Sequence, residues 1–229
     1  VVIPAYWCSA LWHAVRMTGA EPVFADTGAD GVHMDGATVR AALSPRTKAV
    51  VFVHLFGAAR DISDISALGT PVIEDCAQSL GASRNGIMAG ALGSAAAVCS
   101  FYATKVIAAG EGGMVLSGDR SLVERAHDLA DGADKIDGVP RFNLKMTDIA
   151  AALGRSQLGR IESFISRRRS LAARYREAFG TLHLDLPAEE PGERHIRYRF
   201  IVGSDRTGDL RAALIEHGIE RDSSIFPAE

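Results

Sequence analysis

The 229 residues carry 25 basic and 28 acidic side chains for a net charge of −3, and 47% of them are apolar. That balance describes a packed globular protein with a solvated surface, and it leaves no basic footprint for nucleic acid or an anionic membrane. No apolar run reaches the roughly 18–20 residues that span a bilayer, and no signal peptide opens the chain. Cys8, Cys76 and Cys99 make neither a metal-type spacing nor an even disulfide set, which suits a reducing, cytoplasmic setting.

In chain order, Val1–Ile3 reads as a short buried strand and Trp7 to Thr18 as a helix stopped by Gly19. Pro22–Asp26 is a second strand, and Asp35 to Leu43 a short helix ended by Ser44-Pro45. Ala49–His54 is apolar and β-branched, as expected of a strand covered on both faces. Asp61 to Leu68 reads as a helix, and Pro71–Glu74 as a strand delivering Asp75. Gly81 to Gly93 reads as an irregular loop, Ser94–Tyr102 and Met114–Ser117 as paired strands, and Ser121–Ala130 as a helix. Asp131 to Val139 reads as an exposed loop. An apolar stripe from Met146 to Ile165 predicts one long helix continuing to Phe179, with Gly180 as its end. The run Arg167-Arg168-Arg169 lies in that pattern as a solvated face. Leu182–Leu186, Ile196–Val202 and Asp209–His217 read as strand, strand and helix.

Strands alternating with short helices predict an α/β fold around a mixed, mainly parallel sheet with helices on both faces. Residues 1–179 form its large domain, and 180–229 begin a small α+β C-terminal domain. The chain opens directly on Val1-Val2-Ile3-Pro4 and stops at Phe226-Pro227-Ala228-Glu229, just after a helix-and-strand pattern has begun. A fragment of a longer protein is therefore expected.

Ligands of such sheets sit beyond the carboxyl ends of the strands, where His54 and Asp75 both fall. Lys105 follows the apolar run Ser100-Phe101-Tyr102, which would bury its surroundings and make its amine usable. Asp75, ending another run 30 residues earlier, would keep a cofactor's ring nitrogen protonated. The hydroxyls of Ser100 and Thr104 and the amides of Gly110-Glu111-Gly112-Gly113 would bind a phosphate. Each residue also has a plain reading. Lys105 would be a solvated loop lysine, Asp75 a helix N-cap, Gln78 a surface amide and His54 a buried, satisfied histidine.

Five stretches resemble the DegT/DnrJ/EryC1/StrS sugar aminotransferases, pyridoxal phosphate (PLP) enzymes of fold type I, the aspartate aminotransferase type. They are Ile3-Pro4 with Gly19–Asp26, Val53–Gly57, Ile73–Ala82, Ser100–Lys105 with Gly110–Gly113, and Phe142–Gly154 with Gln157-Leu158. The resemblance implies a transaminase moving an amino group from glutamate or glutamine to a nucleotide-linked keto-deoxysugar. Lys105 would hold the cofactor as a Schiff base and shuttle the proton. Asp75 would pair with the pyridinium nitrogen, Gln78 would lie against the ring or its phenolic oxygen, and Ser100 would bind the phosphate. Asn143 would reach the phosphate of the other subunit of a homodimer, and His54 would lie near the ring or substrate. Two departures stand out: the family's upstream Gly-Thr phosphate turn is absent, and Cys8 occupies the place of a ring-stacking aromatic, for which Tyr6 or Trp7 would have to substitute. The rival readings are a PLP-dependent sugar dehydratase, against which Lys105 speaks because that branch carries histidine there, and a degenerate or regulatory family member. A dinucleotide-binding domain is set aside because no G-x-G-x-x-G follows the first strand.

Overall fold

The computed structural model describes residues 1–6, 8–132, 135–186 and 188–219. Its centre is a six-stranded sheet in the order β2-β1-β3-β4-β7-β8. The strands are β1 (Val2–Pro4), β2 (Val23–Ala25), β3 (Val50–Val53), β4 (Val72–Asp75), β7 (Ala96–Ser100) and β8 (Gly113–Leu116). The first five run parallel, and β8 closes the edge antiparallel to β7.

Alternation along the strands sorts the core into two faces. Val2, Val50, Phe52 and Val72 pack with Val39 of α2 (Gly36–Ala42) and Ile65 of α3 (Ser63–Ser66). Ile3 and Val51 point the other way, onto Val15, Leu11 and Trp12 of α1 (Ser9–Met17), joined by Ile73. Farther along, Ala97, Cys99 and Phe101 are covered by Ala150 of α5 (Asp148–Leu158) and by Ile161 and Phe164 of α6 (Ile161–Phe179). Helix starts follow their capping chemistry. Asp35 and Thr38 make a capping box on α2, Thr147 caps α5, and Asp119 caps α4 (Arg120–Ala130).

Several expected boundaries differ. The long helix breaks at Gly159-Arg160 into α5 and α6, with Gly159 N–H closing on Arg155 O. The expected 61–68 helix is confined to α3. Within the 81–93 loop, β5 (Ser83–Arg84) and β6 (Ile87–Met88) form a small antiparallel sheet with β9 (Glu193–Arg194). No local pattern announces the pairing of β5 with β9, because the two strands are far apart in the chain. Neither 182–186 nor 196–202 is a strand: only the isolated bridge Asp185–Gly203 forms there. The last helix, α7, spans Thr207–Glu216. The start of the expected 7–18 helix at Trp7 lies outside the described residues, as does everything after 219. No described helix is long and apolar enough to cross a membrane.

Candidate active site

The site forms where β3, β4 and β7 end. Val53 pairs with Asp75 and Asp75 with Val98, so the carboxylate emerges at the sheet's carboxyl edge between its neighbours. Ser100 ends β7, and the chain then turns, with Lys105 N–H donating to Tyr102 O, which returns Lys105 to the same edge. Asp75 Oδ1 accepts Ala77 N–H at 2.8 Å. Burial pushes its carboxyl above the usual value, opposed by the Ala77 N–H and by the charges of Lys105 and His54. Lys105 is thus near enough to Asp75 for its charge to act on that carboxyl. No carboxylate comes within salt-bridge distance of Lys105 Nζ among the described residues. Its Nζ lies instead over the Tyr198 ring, 5.7 Å from the centroid.

Gln78 joins them from the turn after β4. Its Oε1 accepts Phe56 N–H at 2.8 Å, which turns the amide so that Nε2 remains a donor. Ser100 Oγ accepts only a 3.3 Å contact from Tyr102 N–H, leaving its hydroxyl proton to give. Asn143 is exposed and paired in an isolated bridge with Asp131.

Both ring nitrogens of His54 are engaged within the protein. It is fully buried. Its Nδ1 accepts Arg60 N–H at 3.2 Å, which puts the proton on Nε2, and Nε2 donates to Glu74 Oε2 at 2.8 Å. Glu74, also fully buried, takes three more donors: Gly90 N–H, Leu92 N–H and the Ser94 hydroxyl. The ligand atoms of His54, Glu74 and Cys76 lie within 4.8 Å of one another. The histidine and carboxylate are nonetheless spent on each other and on the backbone, so the pair locks the 87–94 loop to the sheet.

The turn 54–60 is shaped by its backbone. Phe56 has φ 60° and Gly57 φ +102°, and a Cβ on Gly57 would meet Tyr198 N at 2.7 Å. Side chains capture the turn's amides: Leu55 N–H by His33 Nε2, Phe56 N–H by Gln78 and Ala59 N–H by Glu193 Oε1. Ile196 N–H and Arg199 N–H then donate to Gly57 O and Phe56 O, which carries Tyr198 up to Lys105. A strained non-glycine residue held this tightly is characteristic of site turns. Beside the turn, the Tyr6 ring packs on Phe56 at 6.1 Å, while Cys8 is exposed. Trp7 lies outside the described residues.

Asp75, Lys105 and Gln78 thus lie beyond the carboxyl ends of a mainly parallel sheet with helices on both faces, the architecture of fold type I. The comparisons agree. Residues 1–225 match the DegT/DnrJ/EryC1/StrS aminotransferase family, and the chain belongs to it. It is 35% identical over 210 residues to dTDP-3-amino-3,4,6-trideoxy-alpha-D-glucose transaminase of Micromonospora megalomicea subsp. nigra, covering 86% of this chain and 56% of that protein. It is 33% identical over 231 residues to the pleiotropic regulatory protein of Geobacillus stearothermophilus, covering 96% and 62% respectively. Among solved structures it resembles DesV of S. venezuelae, in complex with a ketimine intermediate, with a TM-score of 0.89 and 33% identity over 96% of this chain and 62% of that one. The chain therefore spans less than two thirds of the length of these relatives.

Proposed function

We propose that the chain is the cofactor-binding part of a PLP-dependent aminotransferase acting on a nucleotide-linked keto-deoxysugar, with glutamate or glutamine as amino donor. The observation that carries this reading is the convergence of Lys105, Asp75 and Gln78 at one sheet edge. The residues present fit the cofactor: the buried Asp75 carboxyl takes one backbone N–H and would be stabilised in its charged form by a cationic ring nitrogen, and Gln78 Nε2 and the Ser100 hydroxyl are donors in waiting. When bound, PLP supplies an aldehyde carbon and a ring that takes up electrons.

The chain's own residues do the rest. The Lys105 amine holds the cofactor and then carries a proton at Nζ between the two carbons that exchange it. Asp75 stays ionised against the protonated ring nitrogen, which offsets the cost of its burial. Gln78, clamped by Phe56 N–H, donates toward the ring's oxygen, and Ser100 donates to the phosphate. Tyr198 walls the lysine on one side and excludes water there.

Asn143 is proposed to act in a second subunit of a homodimer. Apolar side chains at its level support this: Leu144 is 70% and Ile149 84% exposed, with Phe142 and Leu153 close to half exposed. The name of the Geobacillus relative supports a second reading, a regulatory family member without turnover. One experiment separates the two. The protein is mixed with PLP, reduced with borohydride and mapped by mass spectrometry, with Lys105→Ala as control. A pyridoxyl group on Lys105, absent from the variant, is the expected result. Its absence from the wild-type chain would remove the transaminase reading.

A further inference from the structure

His33 lies outside the strands that build the site, and the chemistry above does not use it. It is nonetheless buried, with its ring stacked on Phe52 of β3 at 6.0 Å between centroids and 14° between planes. Nδ1 lies 2.7 Å from Asp30 Oδ2, and Nε2 accepts the Leu55 N–H at 3.2 Å. A ring nitrogen that accepts carries no proton, so the imidazole is neutral and its one N–H, on Nδ1, is donated to Asp30. Asp30 is held in turn, because its Oδ1 accepts Val32 N–H at 2.8 Å and His33 N–H at 2.7 Å. Burial lowers the imidazole below its ordinary value, opposed by Asp30 and helped by Arg60 and His54, in keeping with a neutral ring.

The amide that His33 takes stands where the chain leaves the sheet. The ladder between β3 and β4 runs on through His54 N–H to Asp75 O at 3.0 Å, and Leu55 is the next residue. One residue farther, Phe56 turns to φ 60° and sends its own N–H to Gln78 Oε1 at 2.8 Å. Two consecutive amides are thus fixed by two side chains, each 22 positions away, one before the turn and one after it. Without the acceptor on His33, the buried Leu55 N–H has to find another, and the peptide units beside it rotate to do so. That rotation relieves the left-handed strain at Phe56 and withdraws the Phe56 N–H from Gln78. A side-chain amide that has lost this N–H has nothing to tell its oxygen from its nitrogen, and Nε2 is no longer kept as the free donor.

We infer that His33, fixed in its Nδ1–H tautomer by Asp30, is a positioning residue that orients the Gln78 amide by holding the Leu55–Phe56 turn. This role rests on the cofactor contact proposed above for Gln78, through which His33 acts.

The test uses the whole chain and two kinds of measurement. PLP affinity is read by absorbance, and nitrogen NMR reads the His33 ring together with hydrogen exchange at the Leu55 and Phe56 amides. The wild-type ring should carry its proton on Nδ1. His33→Phe keeps the stack on Phe52 but offers no acceptor. It should open the Phe56 amide to exchange and weaken PLP binding roughly two- to tenfold, the range of one neutral hydrogen bond. His33→Gln, whose amide oxygen reaches as far as Nε2, should restore both. Added to Gln78→Leu, His33→Phe should weaken PLP no further, because the two act on one contact. Should His33→Phe fail to fold, Asp30→Ala keeps the ring, frees its tautomer and should give the same losses. Additive losses of affinity would overturn the proposal, as would a Phe56 amide as protected in His33→Phe as in wild type. A wild-type chain that binds no PLP would strike the cofactor reading instead, and the Phe56 amide would still decide whether His33 holds the turn.

Discussion

Gln78 Oε1 accepts the Phe56 N–H at 2.8 Å across 22 positions of sequence, and Phe56 is the residue of the turn held at φ 60°. A single amide therefore both pins a strained backbone and keeps its own Nε2 pointed away from that backbone.

These two duties separate by substitution. Gln78→Leu leaves the Phe56 N–H without its acceptor, at a cost of about 1–3 kcal/mol in unfolding free energy. Gln78→Glu keeps an acceptor for Phe56 but has no N–H to donate, so stability should stay near wild type while PLP binding weakens. Denaturant titration and cofactor absorbance of the two variants read the two effects independently. Equal loss of stability in both would show that the acceptor does not matter.

Asp75 should trade stability against function. Its folded-state carboxyl is raised, chiefly by burial, so the folded chain resists ionising it more than the unfolded chain does. For an acid raised on folding, stability is fullest below the unfolded value and is lost as pH rises through the window up to the folded value. At neutral pH the charged form is a liability of the cofactor-free chain. Asp75→Asn removes the charge and still accepts Ala77 N–H, so it should raise the cofactor-free unfolding midpoint. The same change should weaken PLP binding by roughly 10- to 100-fold, the range of one lost hydrogen bond to a charged group. A midpoint that falls in Asp75→Asn would contradict the assignment.

His195 gives the chain an acid-side slope. Burial, then Arg197, Arg60, His33 and Arg169, hold its imidazole at about 3, against about 6.5 when unfolded. Between those values the unfolded chain binds the extra proton, so stability rises with pH across the window and is fully present above the unfolded value. Unfolding free energy measured from pH 4 to 7 should therefore climb more steeply in wild type than in His195→Asn, which has nothing to titrate. Parallel profiles would mean that the histidine is not shielded from solvent.

What could be read from the chain alone was local chemistry. The apolar run of β3, the carboxylate at the end of β4 and the lysine after β7 each announce themselves within a few residues, and the structure brings Asp75, Gln78 and Lys105 to one edge. What could not be read depends on distant partners. The β5–β9 pairing and the hold of Glu193 on Ala59, 134 positions away, are decided by packing rather than by pattern. The segment 196–202 has a strand's composition, yet its Ile196 and Arg199 amides go to the 54–60 turn instead of a ladder. His54 shows the same limit from the other side. A strand-end histidine looks poised for a ligand until Glu74 and Arg60 are seen to occupy both nitrogens.

Asn143 offers the sharpest check on the proposed subunit arrangement. It is exposed, and the apolar side chains of Leu144 and Ile149 stand exposed beside it. If it completes a neighbour's phosphate site, Lys105→Ala and Asn143→Ala are each defective at both sites of their own homodimer. Mixed dimers would pair one subunit lacking the lysine with one lacking the asparagine, and so contain one site with both residues intact. Unfolding and refolding an equal mixture should therefore restore about a quarter of wild-type borohydride-trapped PLP per chain, a random-pairing expectation for shared sites. Ile149→Asp, which puts a charge on the apolar face, should lower the sedimentation coefficient toward the monomer's and abolish that recovery. Recovery no greater than the average of the two separate variants would place Asn143 outside any shared site, whatever the oligomeric state.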